Sequence, residues 1–396
     1  MKNNNLMSNF KTNQNPYNKG ITLVALVITI VILLILAGIS ISALTNTGIF
    51  GKAKDAKGKS ENAEKQQSEL LDSYEKELNK YTSEELTAEK LNTVLSTTEN
   101  KTLQDTKGNI ITVPAGFKIV SNADTNNATT VDKGIVIEDA TSTATAGSQF
   151  VWIPVGKITK ADGTTVEINL DRYTFDKNGI PTAQNDSAIA EGGYYNYNYQ
   201  ELATGYGNTV AKSITNFKKS VTTNGGYYIG RYEARTTTAR NSEDDTLTQI
   251  TEKGTDQVYN YVTQIQAAGQ AQNMYDNTHP FTSDLMNSYA WDTATLFLQS
   301  CGINNKYSRK TRVSFSLATT GTNNQTTKDV QCNVFDMASN VWELTTETSS
   351  CSGNPCTERG GGSGTTPDFY TSTRAVNTTS NSNSYLGFRP LLYVNV

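Results

Sequence analysis

Histidine is all but missing: His279 is the only one in 396 residues. That excludes multi-histidine metal centres and leaves a histidine-based triad one place to form. His279 precedes Pro280 in a turn, and no serine lies in a nucleophile-elbow context, so no catalytic role falls to it. Charge is also scarce, at 18% of residues against roughly 25% in soluble domains. The net charge of −4 and the pI of about 5.3 exclude a phosphate-neutralising groove spread over the molecule, and with it nucleic-acid binding. Thr, Asn, Ser, Gly and 20 Tyr fill the space that charge leaves, a profile suited to a wet, extracellular, β-rich surface.

The strongest local signal is Ile21–Leu44, 24 positions without a charge. At about 1.5 Å rise per residue, a helix of that length covers the roughly 30 Å hydrocarbon core. The preceding residues carry Lys2, Lys11 and Lys19 and no acid, whereas Lys52, Lys54, Lys57 and Lys59 follow on the far side, so charge does not orient the span. From Gly48 to Tyr81 a polar helix is expected to continue it, with Leu70, Leu71, Tyr74, Leu78 and Tyr81 on one stripe.

Lys19-Gly20 followed by Ile-Thr-Leu-Val resembles the cleavage site of type IV prepilins. The resemblance implies a leader at 1–20, processing between Gly20 and Ile21 by a prepilin peptidase, methylation of Ile21 as the new N-terminus, and other pilin-like subunits as partners. One departure is Ala25, where the family has Glu to neutralise a neighbouring subunit's terminal amine. The rival reading is an uncleaved anchor or a secretory signal ending near Ser40-Ile41-Ser42, although the apolar run exceeds the usual 7 to 15 residues of such a signal.

Residues 82–107 are polar and weakly patterned apart from a short helical candidate, Ala88–Leu95, and read as a linker. Strands are then expected at Ile110–Val113, Phe117–Val120, Gly134–Ile137 and Phe150–Val155, and helices at Val258–Gln270 and Tyr289–Ser300. The expected organisation is a leader (1–20), a membrane-spanning and extended pilin-like helix (21–81), a linker (82–107) and an α+β, loop-rich domain (108–396).

Within that domain, Gly225–Glu233 (GGYYIGRYE), Tyr289–Ala294 (YAWDTA), Asn333–Glu343 (NVFDMASNVWE), Arg359–Ser363 (RGGGS) and Gly387–Arg389 (GFR) occur in order. The series resembles formylglycine-generating, sulfatase-modifying enzymes, and implies a C-type-lectin-like fold, one shared with the variable receptors of diversity-generating retroelements. Enzymes of that family bind copper through a cysteine pair between the last two motifs. Here Gly364–Leu386 contains no cysteine, so copper and the oxidase activity are not expected. The resemblance also implies calcium as a candidate cofactor, held by the side chains of Asp336 and Glu343 and the main-chain oxygens of Ser339 and Val341. Ser339 replaces the family's Gly, and a turn demanding positive φ would strain it.

The four cysteines are read from their own surroundings. Cys351-Ser-Gly-Asn-Pro-Cys356 looks like a turn closed by a disulfide in an oxidising exterior, with Cys301 and Cys332 left as the second pair. Four cysteines allow three connectivities, and a zinc site is the rival. Trp152, Trp291, Trp342, Tyr227, Tyr228 and Tyr232 read as core. Arg231 with Glu233, Arg359 and Arg389 read as structural ion pairs, and Glu243, Asp244 and Asp245 as a solvated turn.

The segment before GFR is rich in small polar residues with Phe369, Tyr370, Arg374, Asn377, Asn381, Asn383 and Tyr385 interspersed. Rigid aromatics among adaptable amides are what binding loops use. The expected function is therefore a surface-displayed, pilin-like anchored adhesin or receptor. It would be single-pass in the membrane through residues 21–44, with its C-terminal domain outside the cell binding a protein or glycan; a retroelement target is one form this receptor would take. The alternatives are a structural minor pilin or pseudopilin and, below it, a copper-dependent oxidase.

Overall fold

The computed structural model describes residues 57–67, 70, 71, 74, 83–141, 144–190, 197–201, 211–311, 329–362 and 369–396. The chain divides into two compact units, Met1–Leu71 and Asp72–Val396. In the first, residues 57–67 are helical, with an exposed Lys57–Glu61 pair one turn apart. Leu70, Leu71 and Tyr74, the described members of the expected apolar stripe, are all exposed.

This corrects the expected fold class and location. The described residues are mostly β-sheet, their helices are short, and none of those helices is long and apolar enough to cross a membrane. The leader, the Gly20–Ile21 processing site and the run Ile21–Leu44 lie outside the described residues. Among the described residues, no helix corresponds to the expected long pilin-like helix or to a single-pass span.

The second unit centres on a six-stranded antiparallel sheet in the order Phe281–Leu285, Pro390–Val394, Gly226–Gly230, Gln149–Pro154, Val136–Asp139, Phe117–Val120. Apolar and aromatic residues dominate these strands because both faces are covered, and all five residues of Gly226–Gly230 are buried. Phe117, Phe150, Tyr275 and Phe281 meet at centroid distances of 5.2–6.4 Å, mostly edge-on or tilted. Trp152 lies 4.8 Å from Tyr228. The six aromatics expected in the core are all buried.

A second, five-stranded sheet runs Tyr199–Glu201, Trp342–Ser349, Cys356–Arg359, Arg374–Asn377, with Leu386–Phe388 joining Trp342–Ser349 in parallel. The helix Ser288–Cys301 is capped by Asn287, whose side chain accepts from the Ala290 amide at 2.8 Å. Ser288 through Gln299 are buried on every side, including Asp292.

Ile110–Val113 and Phe117–Val120 form as expected, and the other two expected strands occur shifted, as Val136–Asp139 and Gln149–Pro154. The expected linker is a further correction. Lys101–Gln104 pairs in full register with Ile110–Val113, Glu84–Glu85 adds a third strand, and Leu86 and Leu103 enter the core. The chain around 82–107 is thus folded into the unit. Ala88–Lys90 is a single 3-10 turn rather than a helix through Leu95.

Gly360, in the RGGGS stretch, has φ +77°, and a Cβ there would lie 2.4 Å from the Met337 carbonyl oxygen. Gly360→Ala is expected to destabilise the fold by about 2–4 kcal/mol, combining left-handed strain with a backbone clash. Urea unfolding of the purified variant beside the parent, with unchanged slope, is the measurement that checks it.

Candidate ligand-recognition face

The candidate loop begins at the edge strand Arg374–Asn377 and returns to the sheet through Leu386–Phe388. A buried ionic cluster sets the position of that strand. Glu347 receives Arg172 at 2.5 Å, Arg374 at 3.0 Å and Arg359 at 3.3 Å, while Asp292 on the Ser288–Cys301 helix receives Arg359 at 2.5 Å and also Arg374. Every one of these side chains is at most 1% exposed. Burial raises the Glu347 carboxyl, but Arg374, Arg172 and Arg359 outweigh it and bring it down to about 2. Arg374 is thus a strut between helix and sheet, which corrects its assignment as a ligand-contacting residue.

From the same strand an amide chain runs outward. Asn377 Nδ2 donates to Glu358 Oε2 at 2.7 Å, Asn381 Nδ2 to Asn377 Oδ1 at 2.7 Å, and Asn383 Nδ2 to Asn381 Oδ1 at 3.3 Å. The Tyr385 amide closes it on Asn383 Oδ1 at 3.0 Å. Glu358 and Asn377 are buried, Asn381 and Asn383 are half-buried, and Tyr385 is 42% exposed. Burial pushes the Glu358 carboxyl up to about 7, with the Asn377 amide acting in the opposite sense.

The loop backbone is held from three sides. Trp342 N donates to the Tyr385 carbonyl at 2.8 Å, Tyr261 N to Asn383 at 3.0 Å, and Asn260 Nδ2 to Ser384 at 2.8 Å. Tyr261 sits at φ +52°, and buried Arg240 fixes this corner through the carbonyls of Asn260 (2.9 Å) and Tyr261 (2.8 Å). Arg240 also binds the carbonyls of Asp245 and Thr246, tying in the turn that carries Glu243 and Asp244. Arg240 escaped the sequence reading because no motif or charge pair marks an arginine whose hydrogen-bond acceptors are all backbone carbonyls and whose guanidinium lies 5.3 Å from the Tyr259 ring.

The aromatics at the start of the segment are partly used by the fold. Phe369 packs edge-on at 4.8 Å against Trp342, and the Arg309 guanidinium stacks 3.6 Å above Tyr370. Asn381, Asn383 and Tyr385 form one connected, accessible set; Tyr370 is half-buried beside Arg309.

The expected calcium quartet is arranged otherwise. Both Glu343 oxygens take the fork of Arg389, at 3.0 and 2.6 Å, and Arg389 also donates to the carbonyls of Gly230 and Phe335, each at 2.8 Å. Val341 N donates to Glu233 Oε1 at 3.1 Å, and Asn340 Nδ2 binds the other Glu233 oxygen. The left-handed positions of this turn fall on Asp336 (φ +61°) and Asn340 (φ +68°), not on Ser339, whose amide donates to the Asp336 carbonyl. In this arrangement both oxygens of Glu343 serve Arg389. No group of three or more His, Cys, Asp or Glu among the described residues could hold a metal.

The disulfide expectation is also corrected: Cys301, Cys332, Cys351 and Cys356 are free thiols. The 351–356 turn is closed by backbone instead, Ser349 N to Pro355 O at 2.8 Å and Asn354 N to Cys351 O at 3.2 Å, while Cys356 is held in register opposite Asn377. Arg359 and Arg389 are structural pairs as expected. Arg231, however, bonds Gln149 and the carbonyls of Asp124 and Asn333 rather than Glu233.

Against known protein families, curated proteins and solved structures, the chain has no match.

Glu347→Gln would take from Arg172 the carboxylate it pairs with and leave Arg359 and Arg374 on Asp292 alone, and is expected to cost about 3–5 kcal/mol in urea unfolding. Two glutamates of this region contribute pH dependence of opposite sign, and Glu233 and Asp284, raised to about 7 and about 6, act in the same sense as Glu358. Glu358, raised to about 7, contributes stability that is complete below about 4.5 and is lost as pH rises through 7. Glu347, lowered to about 2, contributes stability present above about 4.5 and lost as pH falls toward 2. Calorimetry from pH 3 to 8 should show the highest unfolding temperature near pH 5, and Glu358→Gln should lessen the decline between about pH 5 and 7.

Proposed function

We propose that this chain is a binding protein whose loop 377–385 recognises a protein or glycan. The observation carrying the reading is the amide chain from Glu358 through Asn377, Asn381 and Asn383 to Tyr385. Each amide has its neighbour fixed, so the accessible polar groups are held in place before any ligand arrives, and little ordering entropy remains to oppose binding. Tyr385 supplies an exposed aromatic face with a hydroxyl at its end, suited to stacking on a sugar ring or seating in a protein groove.

The ordered motifs that resemble those of formylglycine-generating enzymes support a scaffold presenting this loop. The cysteine-free interval between RGGGS and GFR supports a recognition role rather than copper-dependent oxidation.

The test is to screen the purified chain against glycan arrays and immobilised surface-protein extracts, then repeat with variants. Tyr385→Ala and Asn381→Ala are expected to weaken the captured interaction about tenfold or more while shifting the unfolding temperature by less than about 2 °C. Retention of full affinity by both variants would remove the loop from the interface.

A further inference from the structure

Tyr261, at φ +52°, holds an unusual conformation for its size. Every other non-glycine residue with positive φ among those described is Asn, Asp or Cys. Asn and Asp enter the left-handed region readily because their short polar side chains bond locally, whereas a bulky ring is strained there. Such strain persists only where the surroundings impose it, and it gathers at ligand sites. Here the constraint is explicit. Arg240 fixes the peptide on either side of Tyr261, through the Asn260 carbonyl at 2.9 Å and the Tyr261 carbonyl at 2.8 Å, and the Tyr261 amide donates to the Asn383 carbonyl at 3.0 Å.

All three bonds use backbone atoms of residues 260 and 261, so Asn or Gly at 261 would make them without strain. The ring serves none of them. In the core, by contrast, Tyr227 and Tyr228 donate their hydroxyls to carbonyls at 2.6 and 3.0 Å. Among the described residues the hydroxyls of Tyr261 and Tyr385 have no such acceptor, and neither ring stacks on another ring or a guanidinium. Asn383 joins the two tyrosines, taking the Tyr261 amide on its carbonyl and the Tyr385 amide on Oδ1. Tyr261 and Asn383 are half-buried and Tyr385 is 42% exposed, so the three share one patch of surface.

Charge is missing from that patch. Neither 257–272 nor 375–388 contains a charged residue, and Arg240 is taken up by the carbonyls of Asp245, Thr246, Asn260 and Tyr261. The exposed charges next along this network, Glu243 and Asp244, are acidic, so an acidic ligand finds repulsion and no partner. What the patch offers is rings and amides. Asn381 and Asn383 each commit one N–H and one lone pair to the amide chain, which leaves each a second donor and a second acceptor. Neighbouring groups that both donate and accept are matched by the vicinal hydroxyls of a sugar, whose C–H face is the apolar surface that an aromatic ring takes.

Resting on the reading of loop 377–385 as a recognition site, we propose that Tyr261 is a second aromatic contact of that site and that the ligand is an uncharged pyranose. The sugar face lies on Tyr385 and Tyr261, and its vicinal hydroxyls bond Asn381 and Asn383.

The experiment uses the full chain with lactose, maltose, chitobiose and mannobiose as probes, beside sialyllactose and oligolysine. Binding is read by titration calorimetry and by saturation-transfer NMR of the sugar ring protons. At least one neutral disaccharide is expected to bind and to receive saturation on its ring protons. Tyr385→Ala and Tyr261→Asn should each weaken it about tenfold, and Tyr261→Phe, which keeps the ring, less than about threefold. Tyr261→Asn should unfold within about 2 °C of the parent or above it, because the left-handed strain is gone. Full affinity in Tyr261→Asn overturns the assignment of Tyr261, and a loss confined to Tyr385→Ala would still leave the loop as the site. Preference for oligolysine or sialyllactose over every neutral disaccharide overturns the sugar class, again sparing the loop where Tyr385→Ala weakens that binding. Failure of all four neutral probes overturns the proposal, and the loop then stands or falls on its own array screen.

Discussion

The arrangement of this molecule depends on one buried electrostatic constraint: three guanidiniums, Arg172, Arg359 and Arg374, shared between two carboxylates, Glu347 and Asp292. Each charge taken from water is costly unless its partners are close and its remaining donors are used. Here the partners come from a loop, a helix and three neighbouring strands, so no charge is matched until all of them are assembled. The cluster therefore works as a register device as much as a stabiliser, fixing the edge strand from which the candidate loop departs.

The second ionic set works on the same principle at the other end of the strand Trp342–Ser349. Arg389 forks onto Glu343 while capping the carbonyls of Gly230 and Phe335, and Glu233 gathers the amides of Asn340 and Val341. Such hydrogen bonds are strong because charge assists them, and they let a turn with two left-handed non-glycine residues persist. Between these two anchors the chain 377–385 needs no regular structure of its own. Its shape follows from the asparagine amides within it and from Arg240, Asn260 and Tyr261 behind it.

The parts of the fold visible in the sequence are those with a local cause. Short apolar runs bounded by turn residues placed Ile110–Val113 and Phe117–Val120, and located Val136–Asp139 and Gln149–Pro154 to within a few residues. The helix Ile214–Asn224 was not legible: it is rich in Thr and Asn, and buries only Phe217, Ser220 and Val221. It forms because Ser213 caps its start and Gly225, at φ +75°, ends it. The polar stretch around 82–107 misled for a related reason, since two leucines docked on an existing core suffice to fold it. For the site, the loop and its amides could be named in advance, but Arg374 could not be separated from them. Its distinction is what surrounds it, not its place in the chain.

Composition and spacing by themselves determined that this is a charge-poor, aromatic-rich chain without a histidine centre, and where several of its strands and its buried rings would fall. These properties are set by residue type and near neighbours. The tertiary structure alone decided which arginines meet which carboxylates, that the four thiols stay unpaired, and that a fork of Arg389 occupies Glu343. The ion pairs join side chains from twelve to more than a hundred residues apart at about 3 Å, a distance that only the packing of sheets and helix determines.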